Sequence, residues 1–239
     1  METETILTAM QTAPLTLQGE FVWGSNHTFL VEVAAPAGAF LAVYKPTRGE
    51  RPLWDFPEAS LARREAAAFI VSQALGWELV PPTVYRPDGP FGAGSLQLFI
   101  DHDPEYHYYN LSEEDRQRLR PVALFDLLVN NADRKGSHII FDSENHLWLI
   151  DHGICFHVEP KLRTVIWDFA GEKLPAELAA DLSVFQHKLE QATELSAGLQ
   201  PLLEAEEIAA LAARAARLLK RGKYPNPPTD HRPVPWPPI

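Results

Sequence analysis

Three residues in the middle of the chain have the types and spacing to hold a cation and handle a proton. Asp133 lies in the polar turn NADRKGSH, His138 opens the strand-like run HIIFD, and Asp151 ends the apolar run LWLI. A hairpin turning at Ser143-Glu144-Asn145 would bring all three to one edge, although the outer pair is separated by 18 positions. Two carboxylates with a neutral ligand suit Mg²⁺ or Mn²⁺ held together with phosphate oxygens. One carboxylate could instead orient or deprotonate an acceptor. A lone Asp in a turn is ordinarily just solvated. Asp151 differs, because it follows a strand that reads as buried, where an acid needs partners.

A second group lies earlier in the chain. Lys45 ends the strand pattern AFLAVYK, so its alkyl stem can cross the sheet edge while its ammonium meets phosphate or a carboxylate. Glu65, set among Ala and apolar residues in ARREAAAFIV, is the expected partner, and Glu58 is the competitor. The turn Gly24-Ser25-Asn26-His27 could offer backbone N–H groups to a phosphate, although the same composition is common in plain hairpins. Neither a Gly-rich strand-to-helix dinucleotide motif nor a G-x-x-x-x-G-K-[ST] loop is present.

The elements that must position these groups are legible in outline. Period-two alternation predicts strands across LTLQGEFVWG, HTFLVEVAA and AFLAVYKP, with Phe29, Val31 and Val33 opposed to Thr28, Leu30 and Glu32. A helix is predicted over EASLARREAAAFIVSQALG, ending at Gly76, and a further strand over GAGSLQLFID. Residues 111–130 read as helix, with Ser112 as N-cap and a kink or junction at Pro121. Two more helices are expected near 176–194 and 204–220. The expected organisation is an N-terminal extension (1–14), a nucleotide-binding lobe (15–100), a helical lobe carrying the catalytic hairpin (101–222) and a tail (223–239). The first dozen residues read as lying outside the core. The tail holds seven of the 21 prolines and is expected to be extended, either strapped across the body with Trp236 as anchor or loose.

Composition bounds the rest. The chain has 239 residues, 46% of them hydrophobic, enough for a sizeable core. One Cys excludes an intrachain disulfide and a thiolate-cluster metal site, and points to the cytoplasm. With 21 basic against 32 acidic residues, the net charge of −11 argues against nucleic acid or an anionic membrane as partner. No apolar run approaches the roughly 18 residues that would cross a bilayer.

Taken in order, a turn, a strand lysine, a helix glutamate, an Asp turn and a strand ending in Asp resemble the protein-kinase-like fold. The resemblance is to its atypical branch of phosphatidylinositol 3- and 4-kinases and HipA-type kinases. More narrowly, it is to a small actinobacterial-type family of phosphatidylinositol-kinase-like proteins. It spans about Leu17 to Trp236 and is strongest over 124–157. It implies an α+β, two-lobed fold that binds ATP with Mg²⁺ or Mn²⁺. In that reading Asp133 is the catalytic Asp, and Asp151 of DHG is the metal-binding Asp. Lys45, supported by Glu65, binds nucleotide phosphates, and the turn at Ser25 and Asn26 covers them. The stretch from Gln97 through Phe99 to Ile100 links the lobes and offers backbone contacts to adenine. His138 occupies the position of a metal-binding Asn, so it becomes a metal ligand that favours Mn²⁺. Asn130 or Asn131 could supply an amide oxygen instead. Lys135 would stabilise charge on the transferring phosphoryl group.

The expected activity is ATP-dependent phosphoryl transfer to a hydroxyl on a small molecule or protein rather than a membrane lipid. The alternatives are a catalytically silent nucleotide-binding protein and AMP transfer on the same fold. A partner protein is compatible with the Pro-rich tail. Lys161 and Arg163 are the basic candidates for an anionic acceptor. The patch His102–Tyr109 is expected to line or cover the cleft, and Cys155 to be packing.

Overall fold

The computed structural model describes residues 1–21, 26–191 and 194–239. Its first lobe is built on a five-stranded antiparallel sheet ordered β1-β2-β3-β5-β4. The strands are β1 (Leu15–Phe21), β2 (Thr28–Val33), β3 (Phe40–Pro46), β4 (Thr83–Arg86) and β5 (Gly94–Leu98). The alternation seen in the sequence sets the two faces. Phe29, Val31, Val33, Ala42, Tyr44, Val84 and Leu96 pack on one side, so Lys45 must leave from the other.

The packed side is covered by α1 (Thr3–Thr12), which corrects the expectation that the first dozen residues lie outside the core. Ile6, Ala9 and Met10 are buried against the sheet, with Met10 fully enclosed. Their i, i+3, i+4 spacing is the helical stripe that the surrounding Thr and Glu residues obscure.

The opposite face meets α2 (Leu61–Leu75). Its start has no Ser60 side-chain cap. Instead the Glu50 carboxylate accepts from the Leu61 and Ala62 N–H groups at 3.2 and 2.8 Å. The helix stops at Gly76, whose φ of 72° is left-handed, and the Trp77 N–H donates back to Ser72 O. α2 precedes the expected lobe boundary at residue 100, yet Ala67, Ala68, Phe69, Val71 and Leu75 lie in the larger core with the second lobe. Arg64, 1% exposed, adds polar ties across the same junction. It donates to Cys155 O at 2.6 Å and to Glu207 at 2.5 Å.

The second lobe contains α3 (Glu113–Gln117), α4 (Arg120–Val129), the hairpin β6 (Ile139–Phe141)–β7 (Leu147–Leu149), and α5 (Ala176–Glu190), α6 (Glu194–Leu199) and α7 (Ala205–Arg221). Ser112 Oγ accepts from the Asp115 N–H at 3.1 Å, as its N-cap position predicts. Pro121 falls in the first turn of α4, making residues 111–130 two helices rather than one kinked helix. The short α6 adds a turn of helix between the two that the sequence predicts.

The tail is strapped, not loose. Trp236 is not its anchor, being 74% exposed. Backbone carbonyls hold it instead. Pro233 O accepts from the Thr164 N–H at 2.9 Å, and Pro238 O from the Gly136 N–H at 2.8 Å. Proline has no N–H to give, so such a segment can bind the body through its carbonyls. Among the described residues, no helix is long and apolar enough to cross a membrane.

Candidate active site

Lys45 is where the two lobes meet. Leaving the inner face of β3, its Nζ lies 2.5 Å from Glu65 Oε1 and 3.1 Å from Asp151 Oδ1. Burial alone would lower the Lys45 pKa, but the carboxylates of Asp151 and Glu65 outweigh it and raise it, so the ammonium stays charged. Glu58 is exposed and takes no part. Glu65 also fixes the backbone after Asp151, because its Oε2 accepts from the His152 N–H at 2.8 Å.

Asp151 sits just past the end of β7 with a left-handed φ of 63°, a strained backbone for any residue but Gly. Its side chain is 47% exposed. Burial of the site pushes its pKa up, but Lys45 and then His138 pull it down further, and the carboxyl is held well below the usual range. His138 Nε2 approaches the second carboxylate oxygen at 3.3 Å. The Lys135 N–H donates to His138 Nδ1 at 3.4 Å, which places the remaining proton on Nε2, the nitrogen on the Asp151 side. Burial drives the His138 pKa down to about 3, so the imidazole is neutral.

Asp133 faces the same centre. Its N–H donates to Asn131 Oδ1 at 2.9 Å, and its carboxylate lies 3.5 Å from Lys135 Nζ. Burial raises its pKa to about 6; Lys135 opposes the rise and Asp151 adds to it. A carboxylate tuned this way is poised to take a proton near neutrality.

The residue missed in the sequence is Arg134, between the two with assigned roles. It is fully buried, and its Nε pairs with Asp126 Oδ1 at 3.1 Å. Its Nη1 donates to Ile150 O at 2.8 Å and its Nη2 to His152 Nε2 at 2.7 Å. Because His152 Nε2 accepts, its imidazole is the neutral Nδ1–H form, and burial holds its pKa well below the ordinary value. Thr164 Oγ1 and Asn131 Nδ2 complete the shell of Asp126 at 3.0 and 3.1 Å. The signal that could have found this junction is Asp126 itself, an acid inside the apolar helix LFDLLV.

Other expected positions behave differently. Asn130 ends α4 in the left-handed conformation, and its Nδ2 donates to His157 O and Glu159 O. Asn131 is held by Asp126 and Asp133. Both amide oxygens are taken by backbone, that of Asn130 by the Lys161 N–H at 3.0 Å and that of Asn131 by the Asp133 N–H at 2.9 Å. Gln97 lies on the Lys45 face of the sheet, paired with Val43, but its Nε2 donates to Thr83 Oγ1 at 2.8 Å. The Phe99 N–H donates to Leu41 O at 3.0 Å, and Ile100 O is bonded by His102 Nδ1 at 2.9 Å. The Phe99 amide is therefore taken up by the sheet rather than open to an adenine. Ser25 lies outside the described residues. Asn26 Oδ1 accepts from the Arg51 N–H at 2.7 Å. Tyr109, from the aromatic patch, packs against Gly136 so closely that a Cβ there would lie 3.0 Å from its ring. Cys155 is buried, with its thiol pKa pushed well up.

Among the described residues, no group of three or more His, Cys, Asp or Glu could hold a metal by itself. The half-exposed Asp151, with His138 beside it, fits an ion whose remaining ligands are phosphate oxygens and water, not an all-protein cage. His138 would have to give up its Nε2 proton to become a ligand.

No family model matches the chain. Protein Rv2133c of Mycobacterium tuberculosis is 40% identical over 258 residues, spanning 93% of this chain and 91% of that protein. Phosphatidylinositol 4-kinase gamma 4 of Oryza sativa subsp. japonica is 30% identical over 140 residues, or 50% of this chain and 25% of that protein. Among solved structures, hydra Fam20 with sugar aligns with a TM-score of 0.58 at 16% identity, over 92% of this chain and 88% of that one. The golgi casein kinase aligns at 0.54 and 16% identity, over 95% and 79%. The Helicobacter pylori proinflammatory kinase CtkA aligns at 0.52 and 9% identity, over 90% and 94%. The fold of the chain is kinase-like, and the chain belongs to the family of Protein Rv2133c.

Proposed function

We propose that the protein is an ATP-dependent phosphotransferase acting on a hydroxyl acceptor. The observation that carries this reading is the convergence of Lys45, Glu65 and Asp151 at one end of the cleft, with Asp133 and Lys135 beside them. In this reading Lys45, kept charged by its two carboxylates, orients the nucleotide phosphates. Asp151, with His138 as its neighbour, would hold Mg²⁺ or Mn²⁺. When bound, such an ion neutralises phosphate charge. Asp133 accepts the proton of the acceptor hydroxyl as its oxygen bonds to the γ-phosphorus. The bond from that phosphorus to the β–γ bridging oxygen breaks, and ADP leaves. Lys135, next to Asp133, offsets charge on the phosphoryl group in flight.

The position of His138 favours a second reading, a catalytically silent nucleotide-binding protein. Its Nε2 lies 3.3 Å from Asp151 and carries the ring proton, at a position where an oxygen ligand would be expected. Incubation with ATP labelled at either the α or the γ phosphorus, with Mg²⁺ or Mn²⁺, separates the possibilities. Phosphotransfer predicts that γ label leaves ATP, and that Asp133→Asn slows this by about 10²–10⁴-fold. Transfer of α label would mean AMP transfer, and bound but unreacted ATP would mean the silent form.

A further inference from the structure

The two basic residues after the Asp151 loop have unlike surroundings. Lys161 Nζ pairs with Asp55 at 3.2 Å and Glu159 at 3.5 Å, and lies 5.0 Å from the centre of the Trp54 ring. Its charge is spoken for. Arg163 is exposed, and its side chain makes no hydrogen bond or ion pair among the described residues.

The backbone sets Arg163 beside Asp133. Residues 163–165 run parallel to the catalytic turn, with Arg134 and Thr164 as bridge partners. The Arg163 N–H donates to Asn131 O at 2.9 Å, the Arg134 N–H to Arg163 O at 3.0 Å, and the Val165 N–H to Arg134 O at 3.2 Å. Side chains alternate along such a pair, and bridge partners share a face. Arg134 and Thr164 both reach Asp126 in the interior. Asp133, its side chain 29% exposed, and the exposed Arg163 each precede one of these inward-turned residues, and both lie outside that interior. In a chain of net charge −11, an unpaired guanidinium beside the proposed base is a place for an anionic group.

The other edge of the 163–165 segment is closed. The Thr164 N–H goes to Pro233 O, and the Gly136 N–H to Pro238 O. The tail has taken the backbone donors that an extended peptide acceptor would use to add as a strand. A small molecule needs none of them.

We propose that Arg163 determines acceptor specificity by holding the anionic group of a small acceptor, a phosphate or carboxylate, while a hydroxyl of the same molecule faces Asp133. This rests on the phosphotransferase reading for what happens next, but anion binding at Arg163 is measurable without nucleotide. The test is calorimetric titration of the full chain with glucose 6-phosphate, citrate and an acidic Ser-containing peptide. Wild type, Arg163→Ala and Arg163→Lys are compared, with thermal midpoints confirming that each variant is folded.

We expect saturable binding of glucose 6-phosphate or citrate, weakened at least tenfold in Arg163→Ala and partly restored in Arg163→Lys, which keeps the charge but not the forked geometry. Which of the two binds tells phosphate from carboxylate. Binding that ignores the Arg163→Ala change, no binding of either small anion, or tighter binding of the peptide overturns the proposal. A parallel titration of wild type with an ATP analogue and Mn²⁺ shows separately whether the phosphotransferase reading stands.

Discussion

The molecule contains two ionic groups, one buried and one at the junction of the lobes, and they are built in opposite ways. Under the Asp133 turn, Asp126 and Arg134 are both fully buried, and both carboxylate oxygens and all three guanidinium nitrogens bond within the protein, although the Nδ1 of the neighbouring His152 is left without a hydrogen-bond partner. At the cleft, Lys45, Glu65 and Asp151 form a chain of charge that ends on a half-exposed carboxylate. The first group has no capacity left for a ligand, and the second keeps one end open. Satisfied burial marks a structural junction; a charge held in an unusual state but left accessible marks a site.

The sharpest way to break this contrast is at the buried end. Asp126→Ala leaves the Arg134 guanidinium enclosed without its carboxylate, and should cost about 3–5 kcal/mol of folding stability in urea denaturation. A loss below about 1 kcal/mol would mean that Arg134 finds another partner and is not the junction described. The next largest effect concerns Asp133. With its pKa raised to about 6, it is an ionised base above that pH and protonated below. kcat/KM should therefore fall about tenfold per pH unit on the acid side of about 6. The sign for stability is opposite. A folded-state pKa above the ordinary 3.8 makes the protonated form the favoured one, so this residue's contribution declines as pH rises from about 4 to about 6. An acid limb that survives Asp133→Asn would assign it to another group. The smallest stability effect should come from Asp151→Asn. Its half-exposed pairing suggests a change within about 1 kcal/mol in the same denaturation assay.

The contrast also explains what could be read from the sequence. Strands β1 to β3, the Lys45–Glu65 pair and the Asp133–Asp151 hairpin were visible, because each rests on local periodicity or on a turn with distinctive residues. Arg134 was not, since nothing local says that the middle residue of Asp-Arg-Lys turns inward while its neighbours turn out. That depends on Asp126, Ile150, His152 and the parallel pairing with Thr164, all set by tertiary structure. α1 was obscured because three small or apolar residues among polar ones barely show a stripe, and only the sheet beneath them makes it a buried face. The tail's prolines predict an extended segment, but its attachment runs through carbonyls that every residue has. Trp236, the conspicuous side chain, is the part left in solvent.

The central claim is that the open end of the cleft group receives a metal-bound nucleotide. Calorimetric titration of an ATP analogue in the presence of Mn²⁺ or Mg²⁺ tests it most directly, with wild type, Asp151→Asn and Asp133→Asn compared. The account predicts metal-dependent binding to wild type, weakened at least tenfold by Asp151→Asn and changed far less by Asp133→Asn. No nucleotide binding with either metal, or binding indifferent to Asp151→Asn, would contradict it.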